Sequence, residues 1–211
     1  MKPLLILKGT GSFGVEIADV VSEIEGFRVA GFVQNADPQN TQAEFEGLPV
    51  LWVEDAKALA ATHWAVCAIS AVERRGFIER VAGFGFRFAT LVHPTARVSA
   101  TSSLGEGTIV SAGAVIAAHT QVGRHVIVNR GVLIGHHTTI GDYTFLGPGA
   151  NIAGAVAIGE AAFVGIGAIV SDHLTIGKRC FLSAGAVVTR NVSDGMRVVT
   201  SNTRAFHRNP E

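Results

Sequence analysis

Residues 122–141 read Val122-Gly123-Arg124-His125-Val126-Ile127-Val128-Asn129-Arg130-Gly131-Val132-Leu133-Ile134-Gly135-His136-His137-Thr138-Thr139-Ile140-Gly141, with an aliphatic residue at every sixth position: Val122, Val128, Ile134 and Ile140. The register extends outward without a slip. It runs back through Ile116, Val110, Leu104 and Val98 to Val92, and forward through Leu146, Ile152, Ile158, Val164, Val170, Ile176 and Leu182 to Val188. The residue after each aliphatic is often Gly, as at 105, 123, 135, 141, 147, 159, 165 and 177. The residue four after it is small or β-branched almost throughout, as at Thr108, Ala114, Thr138, Ala150 and Ala168. A period of six fits neither the 3.6 of a helix nor an alternating hairpin array. It is the spacing of a hexapeptide β-helix.

The physical basis is stacking. Three hexads close one triangular coil of 18 residues, and each side is a short strand that pairs with the coils above and below. The repeated aliphatic points into the prism, where only like residues of neighbouring coils can bury it. The small residue four later fits the narrow interior beside a corner. At strand spacing the repeat makes a stack on the order of 27 Å.

Ahead of Val92 the pattern is different. Short apolar runs at Leu4–Leu7, Val29–Val33, Val50–Val53 and Ala65–Ile69 alternate with helix-like segments at 14–25, 54–61 and 72–84, and 87–92 leads into the repeat. Residues 34–42, rich in Asn, Asp, Pro and Gln, read as a loop. Strands alternating with helices predict a parallel sheet with crossover helices. The expected division is therefore an α/β domain over 1–91, a parallel β-helix over 92–193 and a tail over 194–211.

Composition narrows the partners. Lys plus Arg and Asp plus Glu balance at 17 each, which argues against nucleic acid or an anionic membrane as a target. No apolar run approaches the roughly 20 residues of a membrane-spanning helix. Met1–Lys8 has no small-residue cleavage site and reads as a first strand, and Cys67 and Cys180 read as reduced core thiols, so a cytoplasmic protein is expected.

Two clusters carry candidate chemistry. Gly9-Thr10-Gly11-Ser12-Phe13-Gly14 follows a strand and opens a helix, a place where backbone N–H groups cradle phosphate. Gln34-Asn35 end the second strand where a dinucleotide site would have an acid, which argues against NAD. In the repeat, His119, His125, His137 and His173 all fall three residues after the aliphatic, whereas His136 alone falls two after it. Because 119, 137 and 173 differ by multiples of 18, those three line one prism edge. In the segment Glu73-Arg74-Arg75, Arg74 reads as a solvated helix charge, and Arg75 either as the same or as a ligand.

With these residues placed, the whole chain resembles the PglD/NeuD-type sugar acyltransferases, which acylate amino or hydroxyl groups of nucleotide-linked or sialic-type sugars. The Gly-rich start, His93-Pro94 and the stretch from Asn129 to Gly154 carry the likeness. The resemblance implies a Rossmann-like nucleotide-binding domain followed by a left-handed parallel β-helix. It further implies a homotrimer with sites between prisms, acetyl-CoA as acyl donor, no metal, and a nucleotide-linked amino sugar as acceptor. By its motif Asn129, His136 and Gly154 are carried over, with His136 as general base, His137 where the family has an acidic residue, and the Gly154 N–H as oxyanion donor. Phe145, Gly154, Ile166 and Ala184 fall to the acyl-CoA side. Gly9, Thr10, Gly11, Ser12, Gln34, Asn35 and Arg75 fall to the nucleotide sugar.

The chemistry suits the assignment. Attack on a thioester needs a nucleophile relieved of its proton, and a positioned histidine base contributes about 10²–10⁴ in rate. Three positions depart from the family pattern: His137 for the acid, Phe145 for a second histidine, and Thr200-Ser201-Asn202-Thr203 for the closing Gly-x-Pro-Ala. Rival readings are a sugar O-acetyltransferase, a nucleotide-binding trimer without chemistry, and a γ-carbonic-anhydrase-like zinc enzyme using His137 and His173.

Overall fold

The computed structural model describes residues 1–8, 11–38, 43–71 and 74–200. Its first part is built from β1 (Lys2–Lys8), α1 (Phe13–Ser22), β2 (Phe27–Gln34), β3 (Glu44–Phe45), β4 (Leu48–Trp52), α2 (Val53–Ala56) with a 3₁₀ turn at Lys57–Leu59, β5 (Trp64–Ala68), α3 (Arg74–Gly83) and β6 (Arg87–Phe88). The strands lie in the order β3-β4-β2-β1-β5-β6. All pair in parallel except β3 with β4. That antiparallel edge was not expected from the sequence. Its cause is Glu46-Gly47, whose φ angles of 51° and 71° are the paired positive values that a two-residue hairpin turn needs. The sheet buries both faces. Leu4, Ile6 and Phe32 pack with Ile17 and Val21 of α1, while Leu5, Leu7 and Val33 pack with Phe77, Ile78 and Val81 of α3.

From Leu91 the chain winds a three-sided prism. Its faces carry seven, six and five two-residue rungs; the first begins at Leu91–Val92, the second at Arg97–Val98 and the third at Ser103–Leu104. Residue n pairs with n+18, as Ile127 with Phe145, Leu133 with Asn151 and Thr139 with Ala157. The second residue of each rung points inward, so Val110, Ile116, Val128, Ile134, Leu146, Ile152, Val164 and Val170 form one buried column with Ala114, Ala150 and Ala168. Fully burying one such aliphatic contributes about 1.5–3 kcal/mol, which makes the column the main source of stability here. The pairing continues past 193 with a shortened last turn, Phe181 opposite Arg197.

From Gly107 to Gly185 each hexad turns its corner through a residue of positive φ. Gly131, Gly149 and Gly167 serve at some corners, but His119, His125, His137 and His173 serve at others with φ of 54–57°. Histidine tolerates the left-handed region better than most non-glycine residues, which accounts for their shared position. From Gly113 to Gly185 the N–H of each corner residue bonds the coil below, as His137 N–H to Ala118 O at 2.9 Å.

The outward residues of the first face, Leu91, Ile109, Ile127 and Phe145, are buried because the α1 side of the α/β sheet packs on them. Arg74 reinforces the seam, and here the sequence reading is corrected. It is not a solvated charge but 2% exposed, donating from Nη2 to the carbonyls of His125 (3.2 Å), Tyr143 (2.7 Å) and Thr144 (3.1 Å). Beside it the His125 ring stacks on Tyr143, and burial pulls its pKa down to about 4 against the opposing charge of Glu106. Cys67 and Cys180 are buried and free, and burial raises the Cys67 thiol to about 11. Among the described residues no helix is long and apolar enough to cross a membrane.

Candidate active site

His136 follows the rung Leu133–Ile134 at the corner between the second and third faces, and His137 is the corner residue itself. Inward-pointing Ile134 and Thr138 fix this segment: Thr138 is fully buried and its hydroxyl donates to Ala153 O at 3.2 Å. Both imidazoles project from the corner and are exposed. Their Nδ1 atoms lie 3.1 Å apart, with ring planes at 84°. The His137 ring also lies 4.9 Å from that of His119, one coil below.

Gly154 stands one coil above His136. A Cβ built on it would come within 2.8 Å of both Cε1 and Nε2 of His136, so the absent side chain is what gives the imidazole its place. The carbonyl of Gly154 accepts from His173 N–H at 3.1 Å, while its own N–H bonds no described residue. One edge therefore presents an imidazole nitrogen and an unengaged backbone amide side by side.

An Nδ1-to-Nδ1 contact is a hydrogen bond only when one ring carries its proton there and the other does not. If His136 keeps a lone pair on Nε2, its Nδ1–H donates to His137, which then holds its own proton on Nε2. His137 fixes the orientation and tautomer of its neighbour without supplying negative charge.

The other sequence-predicted residues are distributed more widely. Asn129, 3% exposed, lies on the edge between the first and second faces, and its Oδ1 accepts from Arg130 N–H at 2.8 Å. Exposed Ile166 and Ala184 lie on that same edge, one coil apart. A single chain thus keeps this group apart from His136 and Gly154; only a neighbouring prism could bring the two edges face to face. Phe145 must be corrected. It stands on the first face, stacked on Phe163 at 4.9 Å and buried beneath the α/β sheet, because nine residues beyond His136 is one and a half hexads and lands on a different side of the prism.

In the first part of the chain, exposed Gly11 and Ser12 precede α1, and Gln34 and exposed Asn35 end β2 at the carboxyl edge of the sheet. Arg75 is less available than expected: it pairs with Glu79 at 2.7 Å and with Glu160, and its guanidinium lies 5.1 Å from the Tyr143 ring centre. Gly9, Thr10 and Ser201–Thr203 lie outside the described residues. Sequence reasoning missed Lys8, which ends β1 beside Gln34 and is 6% exposed. Its only signal was a charge directly before the glycine run.

A cavity of about 390 Å³ lies at the end of the prism, lined by Val187, Arg190, Val192, Met196 and Val198, and another of about 220 Å³ lies between α1 and the first coils. Neither is lined by His136. Among the described residues no three His, Cys, Asp or Glu side chains are grouped to hold a metal ion.

The hexapeptide prism that carries this edge defines the class of hexapeptide-repeat transferases. Residues 119–154 match the family model described as bacterial transferase hexapeptide (six repeats). No curated protein sequence matches the chain. Among solved structures it is similar to PerB from Caulobacter crescentus, in complex with CoA and GDP-perosamine, at 31% identity and a TM-score of 0.84, with 93% of each chain covered. It is similar to the acetyltransferase domain of PglB from Neisseria gonorrhoeae, in complex with acetyl coenzyme A, at 29% identity and a TM-score of 0.83, covering 93% of this chain and 95% of that one. WeeI from Acinetobacter baumannii shares the fold at 24% identity and a TM-score of 0.83, with 95% and 97% covered. The chain belongs to the PglD/NeuD-type sugar acyltransferases, enzymes of the left-handed parallel β-helix.

Proposed function

We propose that the protein transfers an acyl group, acetyl in the first instance, from acetyl-CoA to the amino group of a nucleotide-linked sugar in the cytoplasm. His136 takes the proton of the attacking amine, the Gly154 N–H donates to the developing oxyanion, and the thioester is attacked directly. The observation that carries this reading is the stacking of the His136 ring against the backbone of Gly154. The ligands of PerB and PglB support the donor and the acceptor class. The Asn129–Ile166–Ala184 edge of a second prism completes the groove, so the working unit is a homotrimer.

A thiol-release assay with acetyl-CoA and a panel of UDP-, GDP- and dTDP-linked 4-amino sugars tests this. Turnover on at least one is expected. No turnover on any, with nucleotide still bound, would favour a binding protein without chemistry.

His137 bears on the rate through its contact with His136 Nδ1. Asp is the acid best suited to the left-handed corner at 137. A carboxylate there would accept the Nδ1–H of His136 and stabilise the positive charge the ring gains as it takes the amine proton, so His137→Asp is expected to raise kcat. Comparison of kcat for the two proteins checks the sign; an unchanged kcat would show that His137 does not govern His136.

A further inference from the structure

His125 takes no part in the chemistry proposed above, yet it is built into the seam between the two parts of the chain. Its ring lies edge-on to Phe88 of β6 at 4.8 Å and stacks on Tyr143, one coil above, at 5.3 Å. Gly107, one coil below, closes a third side: a Cβ there would stand 2.2 Å from His125 Nδ1, so only a glycine leaves room for the ring. Nδ1 is buried and has no hydrogen-bond partner, so the neutral ring keeps its proton on Nε2.

Acid would add an N–H at Nδ1 with no acceptor, and a positive charge where one already stands. Arg74 of α3 donates from Nη2 to the His125 carbonyl itself at 3.2 Å. The other groups facing the ring do not offset this. Arg124 of the same corner is engaged with Asp142 of the coil above, at 2.9 and 3.0 Å. Glu106 of the coil below directs its Oε1 to the Phe88 N–H at 3.0 Å, and among the described residues no ion pair joins an acid to His125. Burial raises both the Cys67 thiol and the Tyr143 phenol, so neither supplies negative charge.

We propose that His125 is an acid-sensitive latch: neutral, it clamps α3 and β6 onto the prism edge, and protonated, it leaves the slot between Phe88 and Tyr143 and frees them while the prism stays wound. The prism does not need this ring, because the inward aliphatic column and the pairing of n with n+18 hold its coils. In water the imidazole titrates near its ordinary 6.5, whereas burial in the slot holds it down to about 4. The open form therefore takes up the proton first, and the latch weakens as pH falls from about 6.5 towards 4. On the nucleotide-sugar reading above, its release uncouples acceptor presentation from the acyl-transfer edge; the latch itself needs no ligand, and its test uses none.

Hydrogen exchange read by mass spectrometry on the full-length protein at pH 7 and pH 5, corrected for intrinsic exchange chemistry, tests this. In wild type, protection over residues 74–88 is expected to fall about 20-fold between the two, while residues 145–188 stay within about threefold. His125→Asn suits the left-handed corner and does not titrate, so its protection over 74–88 should change less than about threefold. A fall that persists in His125→Asn overturns the latch. The wild-type measurement decides even where that variant folds poorly: unchanged protection over 74–88 overturns the proposal, and so does an equal fall in both segments, which would mark acid unfolding of the whole chain.

Discussion

Turnover of His136→Ala is expected to fall at least about 100-fold, with melting temperature and assembly state unchanged. The fold does not depend on this ring: it is exposed, and its contacts are His137 and the bare face of Gly154. A general base acts in the transition state and not in substrate binding, so kcat and kcat/KM should drop together. Gly154→Ala offers a second route to the same result, since its methyl would intrude to 2.8 Å on the Nε2 and Cε1 positions and drive the imidazole from its place. The exposed ring can swing outward, so this variant should fold while losing rate. Near-normal turnover in His136→Ala would remove the residue from the mechanism.

The second large effect concerns stability. Arg74→Met is expected to destabilise the protein by about 3 kcal/mol, as breaking a buried charged hydrogen-bond set does. Two physical terms oppose each other. Removing a buried charge relieves desolvation, and the Arg74 Nε indeed finds no acceptor. Against that, the carbonyls of His125, Tyr143 and Thr144 would lose their shared donor in a seam that His125 and Tyr143 close to water. The orphaned acceptors and the lost link between α3 and the prism should dominate. For a chain of this length the melting temperature should fall by roughly 6–12 °C, read by calorimetry. An unchanged melt would mean that apolar packing on the first face carries the seam alone.

Much of this architecture is legible in the sequence because one physical demand repeats. An inward aliphatic at every sixth position can be buried only by its counterpart a coil away, so Val92 through Val188 declare the prism directly. The pattern of His136, Gly154 and the corner histidines follows from the same arithmetic. The docking of the two parts was harder to read, although a weaker signal existed: the outward residues Leu91, Ile109, Ile127, Phe145, Phe163 and Phe181 are all large and apolar at a spacing of 18, marking the covered face. Read by its offset from His136 alone, Phe145 was assigned to the wrong side. Arg74 and Lys8 were not legible, because charged side chains are ordinarily solvated and burial arises only from long-range packing. The β3–β4 hairpin escaped because β3 is only two residues long, too short to show alternation.

The most direct test is a crystal structure of the assembly soaked with CoA and a nucleoside-diphosphate 4-amino sugar. The thiol of CoA and the sugar nitrogen are expected to meet between two prisms, the nitrogen within hydrogen-bonding reach of His136 Nε2 and the Gly154 N–H facing the acyl position. Ligands that meet elsewhere, with His136 open to solvent, would contradict the account.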